Sequence, residues 1–322
     1  MRIEQGVTPI PAAMAFQAAG SPEDCERMNQ ISGDEMRQVG INMLLAPVLD
    51  VNNNRSNPVI GVRAYGEDAA TVIDYGMAAM RGQQSTGMAV TAKHFPGHGD
   101  TATDTHYAMA LVPHDKERLH AVELAPFRAA IAAGVDAIMT AHVVFPAFEA
   151  DTNVPATLSK GVLTDLLRGE MGYDGVVISD CLEMAAIADG IGITQGAIAT
   201  LQAGADIVLI SHREAQQQAA IEAVLAAVES GAIAMARIDE AHARVQQLKR
   251  VHAVRDWQER AVTPPALMQP EAMALARQVQ QAALRVQGAY RPLAASLPVT
   301  LITVEVRSRS EIDEVALGRN KE

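Results

Sequence analysis

Cysteine is nearly absent from this 322-residue sequence. Cys25 and Cys181 are too few for a disulfide framework and form no CxxC pair, so a stapled secreted fold is not expected and a reducing compartment is. Positive charge is also scarce. The 26 Lys and Arg stand against 38 Asp and Glu, giving a net charge of −12 with no basic block, which argues against nucleic acid as a partner. Apolar runs never approach the roughly 20 residues of a membrane span. The opening Met1-Arg2-Ile3-Glu4-Gln5-Gly6 also lacks the apolar stretch of a signal peptide. The expectation is a globular, cytoplasmic protein without a membrane span, whose 49% apolar content suffices for a large core.

Short runs rich in Val, Ile and Leu recur between helical patterns: Ile41 to Val51, Met88 to His94, Asp136 to Phe145, Gly175 to Asp180 and Asp206 to Ser211. Near-continuous apolar strands without hairpin signals predict a parallel sheet covered by helices, an α/β protein. Ser21 before Pro22 and Ser159 are N-cap candidates, and Gly134, Gly172 and Gly204 mark helix ends. The segment from Arg237 to Val251 reads as a closing helix, with Asp239 as its expected cap and Ala241, Val245 and Leu248 on one face. Past it, Thr263-Pro264-Pro265 and Gln269-Pro270 predict a connector, followed by a helix from Glu271 to Val286 and a strand from Val299 to Val304.

Six of the nine histidines fall between positions 94 and 142, three of them in the run from Lys93 to His106. The polar residues that end the expected strands are Asp50, His94 with His98, His142, Asp180, and Ser211 with His212. In a parallel barrel, loops at that end converge on one pocket. Lys93 and His94 together can hold hydroxyl or carboxylate groups of a ligand. His94 and His98 have the i, i+4 spacing of a zinc helix, but Pro96 and Gly97 between them forbid the helical turn, and no metal is expected. Asp104-Thr105-His106 suits a carboxylate that orients an imidazole for proton transfer, with a solvated turn as the plain alternative. Asp180, at the mouth of an apolar strand, is a nucleophile, a hydroxyl ligand or a helix N-cap. Arg63, in the loop from Asn57 to Asp68, can grip an oxygen-rich ligand or pair with Glu67 or Asp68. His142 reads as a group behind the pocket or a core histidine.

Taken together, Ala46 to Asp50, Asn57 to Asp68, KHFPGHGDTATDTH from Lys93 to His106, Thr140-Ala141-His142 and Val177 to Met184 resemble glycoside hydrolase family 3. The likeness is to its β-N-acetylhexosaminidase branch and runs in order across positions 7 to 251. The resemblance implies a (β/α)8 TIM-type barrel over residues 1–254, lacking its first strands. A linker and helix over 255–290 and the beginning of a second α/β domain over 291–322 would follow. It implies a retaining mechanism with Asp180 as nucleophile and His106, paired with Asp104, as acid and base. Arg63, Lys93, His94 and Arg2 are implied as sugar ligands. No cofactor is implied. The implied partner is a glycan ending in β-linked N-acetylglucosamine, as in peptidoglycan fragments during wall recycling.

Family glucosidases and xylosidases generally lack the D-[ST]-H loop, which sets them second. Cys181 stands where this branch often has Asp. The rival readings are a non-catalytic sugar-binding fragment of the same fold, with Asp180 serving as an N-cap, and a metal-dependent hydrolase using the clustered histidines. A histidine acid and base leaves the site less anionic, so phosphate could compete with water as acceptor.

Overall fold

A computed structural model describes residue 3 and residues 5–102, 109–252 and 265–285. Five strands form one wholly parallel sheet: β1 (Met43–Leu44), β2 (Ala89–Phe95), β4 (Ala137–Thr140), β6 (Val176–Cys181) and β7 (Ile207–Leu209), in that spatial order. A second sheet pairs β3 (Ala110–Leu111) with β5 (Val143–Val144), also in parallel. Helices separate the strands of the large sheet: α3 (Ala69–Gln84), α4 (Lys116–Ala121) with α5 (Ala125–Ala132), a π-helix over Gly161–Glu170, and α6 (Ala185–Ala188) with α7 (Ile193–Ala203). After β7 come α8 (Glu214–Glu229) and α9 (Met235–Val251). The class is α/β, as expected, with a curled parallel sheet in the form of a half-barrel.

Strand alternation explains why both faces of the sheet are apolar. Val90, Ala92, Ile138 and Val177 point into the main core, where Phe127, Leu163 and Leu167 from the covering helices meet them. Their neighbours Ala137, Met139, Val176 and Ile178 form a second cluster on the opposite face, and Val245 and Leu248 of α9 cover it. The expected strand from Asp136 to Phe145 is divided instead: β4 stays in the sheet, Ala141 donates to the Phe95 carbonyl, and β5 leaves to pair with β3. A continuous apolar run does not record where a chain changes partner.

Two helices precede β1: α1 (Ala13–Ala19) and α2 (Pro22–Gln38). Ser21 caps α2 by accepting from the Asp24 amide, as the sequence suggests, and Ser159 accepts from the Val162 amide at the start of the π-helix. The expected cap at Asp239 is not formed. Helix α9 begins a turn earlier, at Met235, which brings Arg237 to 2.6 Å from Asp206. Helix α10 (Pro270–Ala283) packs Ala276 and Val279 against Phe16, Cys25 and Met28 of α1 and α2. The expected strand from Val299 to Val304 and the span 291–322 lie outside the described residues.

Candidate active site

The carboxyl ends of β2, β4 and β6 and the loop before Asp50 bring together Asp50, Lys93, His94, His98, His142 and Asp180. Asp180 comes from β6 with about a quarter of its side chain exposed; its Oδ1 accepts from the Cys181 amide at 2.7 Å and its Oδ2 lies 3.9 Å from His94 Nε2. Arg63, on the 3-10 turn Gly61–Arg63, reaches His94 Nε2 at 3.4 Å. The structure thus unites Asp180, His94 and Arg63, three of the residues singled out in the sequence. Arg2, Asp104 and His106 lie outside the described residues.

Asp50 is fully buried, and its carboxylate organises the β2 loop. Oδ1 accepts from the amides of His94 and His98 at 3.1 and 2.7 Å, and Oδ2 meets His94 Nδ1 at 2.7 Å. Asn57 ties this loop to the segment that carries Arg63. Its Nδ2 donates to the carbonyls of His98 and Gly99, while its Oδ1 accepts from the amides of Val59 and Ile60. The loop also presses hard on its neighbour: a Cβ at Gly99 would stand 1.8 Å from the Val51 carbonyl oxygen, so only glycine fits.

Behind Asp180 lies a closed chain of polar groups. The Asp180 amide faces Thr140 Oγ1 at 3.4 Å, Thr140 Oγ1 is 2.7 Å from Thr157 Oγ1, and Thr157 Oγ1 is 2.8 Å from His142 Nδ1. His142 Nε2 then donates to the Cys181 carbonyl at 2.9 Å. The buried His142 therefore grips the backbone on one side of Asp180 while Thr140 holds the other. Beyond it, Glu183 accepts from the consecutive amides of Ser211, His212 and Arg213 at 2.7, 2.8 and 3.1 Å, fixing the loop after β7 beside the same mouth.

Burial and neighbouring charge set the protonation states. Burial pushes the Asp180 carboxyl up, but His94, His142, Lys93 and the Cys181 amide outweigh it and hold the group below the ordinary carboxylate range. Asp50 follows the same pattern, with burial overcome by His94 and His98. Burial pulls His94 down despite the pull of Asp50, and takes His98 to about 4. At neutral pH Asp50 and Asp180 are therefore carboxylates and the His94 and His98 rings are neutral, with the Arg63 guanidinium beside His94. Such a pocket can present an ionised oxygen to an electrophilic carbon while donors and acceptors around it hold hydroxyl groups.

The His94 and His98 rings stand edge to face, 6.0 Å apart, with their Nδ1 atoms turned to Asp50 and Thr101. Among the described residues, the group with ligand atoms close enough to share a cation is instead Asp100, His114 and Glu123. There Arg118 already pairs with Glu123 at 2.7 Å and stands 3.9 Å from Asp100, so a guanidinium supplies the positive charge. Sequence reasoning gave no role to Asp50, Asn57 or Glu183. Asp50 carried a signal in its place after an apolar strand, and Asn57 and Glu183 only in lying within the segments that carry the resemblance.

The strand ends of this α/β sheet gather an ionised carboxylate, a guanidinium and oriented imidazoles at the end where parallel α/β folds place their sites. Residues 1–248 match the glycosyl hydrolase family 3 N-terminal domain, and the chain belongs to that family. A β-hexosaminidase of Stenotrophomonas maltophilia is 40% identical over 224 residues, covering 68% of this chain and 65% of that protein. β-Hexosaminidase A of Pseudoalteromonas piscicida is 36% identical over 233 residues, covering 67% of this chain and 39% of its own length. Among solved structures, a family 3 β-N-acetylglucosaminidase from a Paenibacillus species superposes with a TM-score of 0.86 at 51% identity, covering 90% of this chain and 56% of that one. The chain spans less than two thirds of the length of each of these relatives.

Proposed function

We propose that this chain carries the catalytic centre of a retaining β-N-acetylglucosaminidase that removes terminal β-linked N-acetylglucosamine. The observation that carries the reading is Asp180. It is an ionised carboxylate at the end of β6, bonded to its own neighbour's amide and facing His94 and Arg63 across a partly open mouth. The names of the relatives support the choice of sugar.

In this reading Asp180 attacks the anomeric carbon and forms a covalent glycosyl ester, while His106, oriented by Asp104, protonates the departing oxygen. Water then enters with His106 as base, and the ester bond breaks to release the sugar and regenerate Asp180. Lys93, His94 and Arg63, with Arg2, hold the sugar hydroxyls. The physiological substrate is read as a peptidoglycan-derived fragment. The parallel sheet is read as part of a (β/α)8 barrel over 1–254, followed by a linker with α10 over 255–290 and the start of a second domain over 291–322.

Hydrolysis of a chromogenic β-N-acetylglucosaminide tests the reading. Turnover with the N-acetyl substrate ahead of the matching glucoside, lost in Asp180→Ala and severely slowed in His106→Ala, supports it. A folded protein without turnover favours a non-catalytic sugar-binding role, and loss of activity on chelation favours a metal-dependent one. Product analysis in phosphate buffer separates free sugar from sugar 1-phosphate.

A further inference from the structure

The two oxygens of Asp50 have different tasks. Oδ1 is committed as an acceptor by two backbone N–H groups, those of His94 and His98, which can only donate. Oδ2 lies 2.7 Å from His94 Nδ1. An ionised carboxylate only accepts, so this short contact requires the proton on Nδ1. His94 is held in its neutral form by burial, which leaves Nε2 with a lone pair. The surroundings of Nε2 agree: the guanidinium of Arg63, which can only donate, lies 3.4 Å away, and the carboxylate of Asp180, which would attract a donor, stands off at 3.9 Å.

We propose that Asp50 is a positioning residue that locks His94 in the Nδ1–H tautomer, so that the ring offers an acceptor, beside the donor Arg63, to a hydroxyl of the bound sugar. The matching ligand group is one that donates to the ring and accepts from a cation at the same oxygen, as a hydroxyl does and an ether or a deoxy position does not. The same tautomer turns no N–H toward Asp180, leaving the nearer oxygen of that carboxylate without a donor from this ring. This rests on the reading of the pocket as a sugar site, but the tautomer itself can be observed without any substrate.

Asp50→Asn is the informative change because its geometry has one outcome. The amide oxygen must remain where Oδ1 was, since the NH₂ group there would confront two backbone donors. The NH₂ group then faces Nδ1, and the ring must move its proton to Nε2. Ring ¹⁵N spectra of the 322-residue chain at pH 7, with the His94 signals assigned by their loss in His94→Gln, report the protonated nitrogen directly. The wild-type protein is expected to show Nδ1–H and an unprotonated Nε2. Asp50→Asn is expected to show the inverse, with kcat/KM on the chromogenic substrate about 10- to 100-fold lower.

The inference is overturned by a wild-type ring protonated at Nε2 or at both nitrogens, by a tautomer unchanged in Asp50→Asn, or by an inverted tautomer with kcat/KM intact. Should Asp50→Asn not fold, the wild-type spectrum still decides the tautomer. An Nδ1–H ring in a wild-type protein without glycosidase activity would sink the functional reading instead.

Discussion

At the carboxyl end of the sheet, Asp180 is met by one backbone amide at 2.7 Å and by a neutral ring at 3.9 Å. At the amino end, the fully buried side chain of Asp206 is met by three guanidiniums, from Arg168, Arg237 and Arg244, at 2.7, 2.6 and 3.5 Å, and by the Val177 amide at 2.9 Å. Asp136 repeats the second pattern on a smaller scale, accepting from the Val90 amide and from His252. Each of these amino-end carboxylates precedes one strand and receives the amide at the start of its neighbour, so it staples two strands and a helix together. Contact satisfies the base, whereas Asp180 is stabilised at a distance and stays open to a ligand. Close pairing, as at Asp206 and Asp136 and equally at Asp50 of the carboxyl end, commits an aspartate to structure, whereas the partly exposed Asp180 keeps an oxygen open at the end where parallel α/β folds place their sites.

The contrast can be broken at either end. Asp180→Ala should lower kcat by roughly 10⁴-fold or more, while Tm moves by no more than a few degrees; a large loss of Tm would show that Asp180 also serves as a staple. Asp206→Ala should do the opposite. It leaves three buried or half-buried guanidiniums without their carboxylate, a loss of about 3–5 kcal/mol and a fall in Tm on the order of 10 °C. The folded fraction should retain its kcat, and calorimetry with activity assays below the transition checks both halves.

Gly99→Ala tests the region where the two roles meet, because its Cβ would run into the Val51 carbonyl and displace the loop holding His98. A cost of about 1–3 kcal/mol is expected, accompanied by a rise in KM. Unchanged KM would mean that the loop backbone does not set the mouth.

The smallest effect concerns His252, which faces two acceptors: the Gly87 carbonyl at Nδ1 and Asp136 at Nε2, 2.9 and 2.8 Å away. Only the imidazolium satisfies both, and the Asp136 contact, opposed by burial and by Arg37, raises the ring above its ordinary value. The sign follows from linkage. A raised folded pKa contributes stability that is complete below about pH 6.5 and is lost as pH climbs through the folded value. Wild type should therefore exceed His252→Gln by about 1 kcal/mol at pH 6, with the gap closing toward pH 9. A gap that does not vary with pH would assign His252 a packing role only.

Much of the mouth could be read in advance because its residues end apolar runs. Asp50, His94, His142 and Asp180 each follow a stretch that reads as a strand, and parallel topology then gathers them. What escaped were pairings across long sequence separations. Asp50 binds the amide of His98 and Asn57 the carbonyl of Gly99, more than 40 positions away in each case, and nothing in the periodicity of either segment announces the other. Arg237 is similar. It stood at the start of the expected segment, ahead of the Asp239 cap, and its pairing with Asp206 accompanies a helix start one turn before that cap. Local capping signals worked where the partner was three residues off, as at Ser21 and Ser159.

The hold of Glu183 on the chain after β7 works through main-chain hydrogen alone for Ser211 and His212, and only at Arg213 does a side chain join, through Nε at 3.0 Å. The contour of that rim is consequently insulated from the identity of position 212, where every amino acid except proline supplies the same hydrogen, whereas at position 211 the serine side chain also bonds Cys181. Variation at position 212 can change the side chain presented at the rim while the backbone outline is preserved, which makes that site the natural place to diversify a library without reshaping the loop.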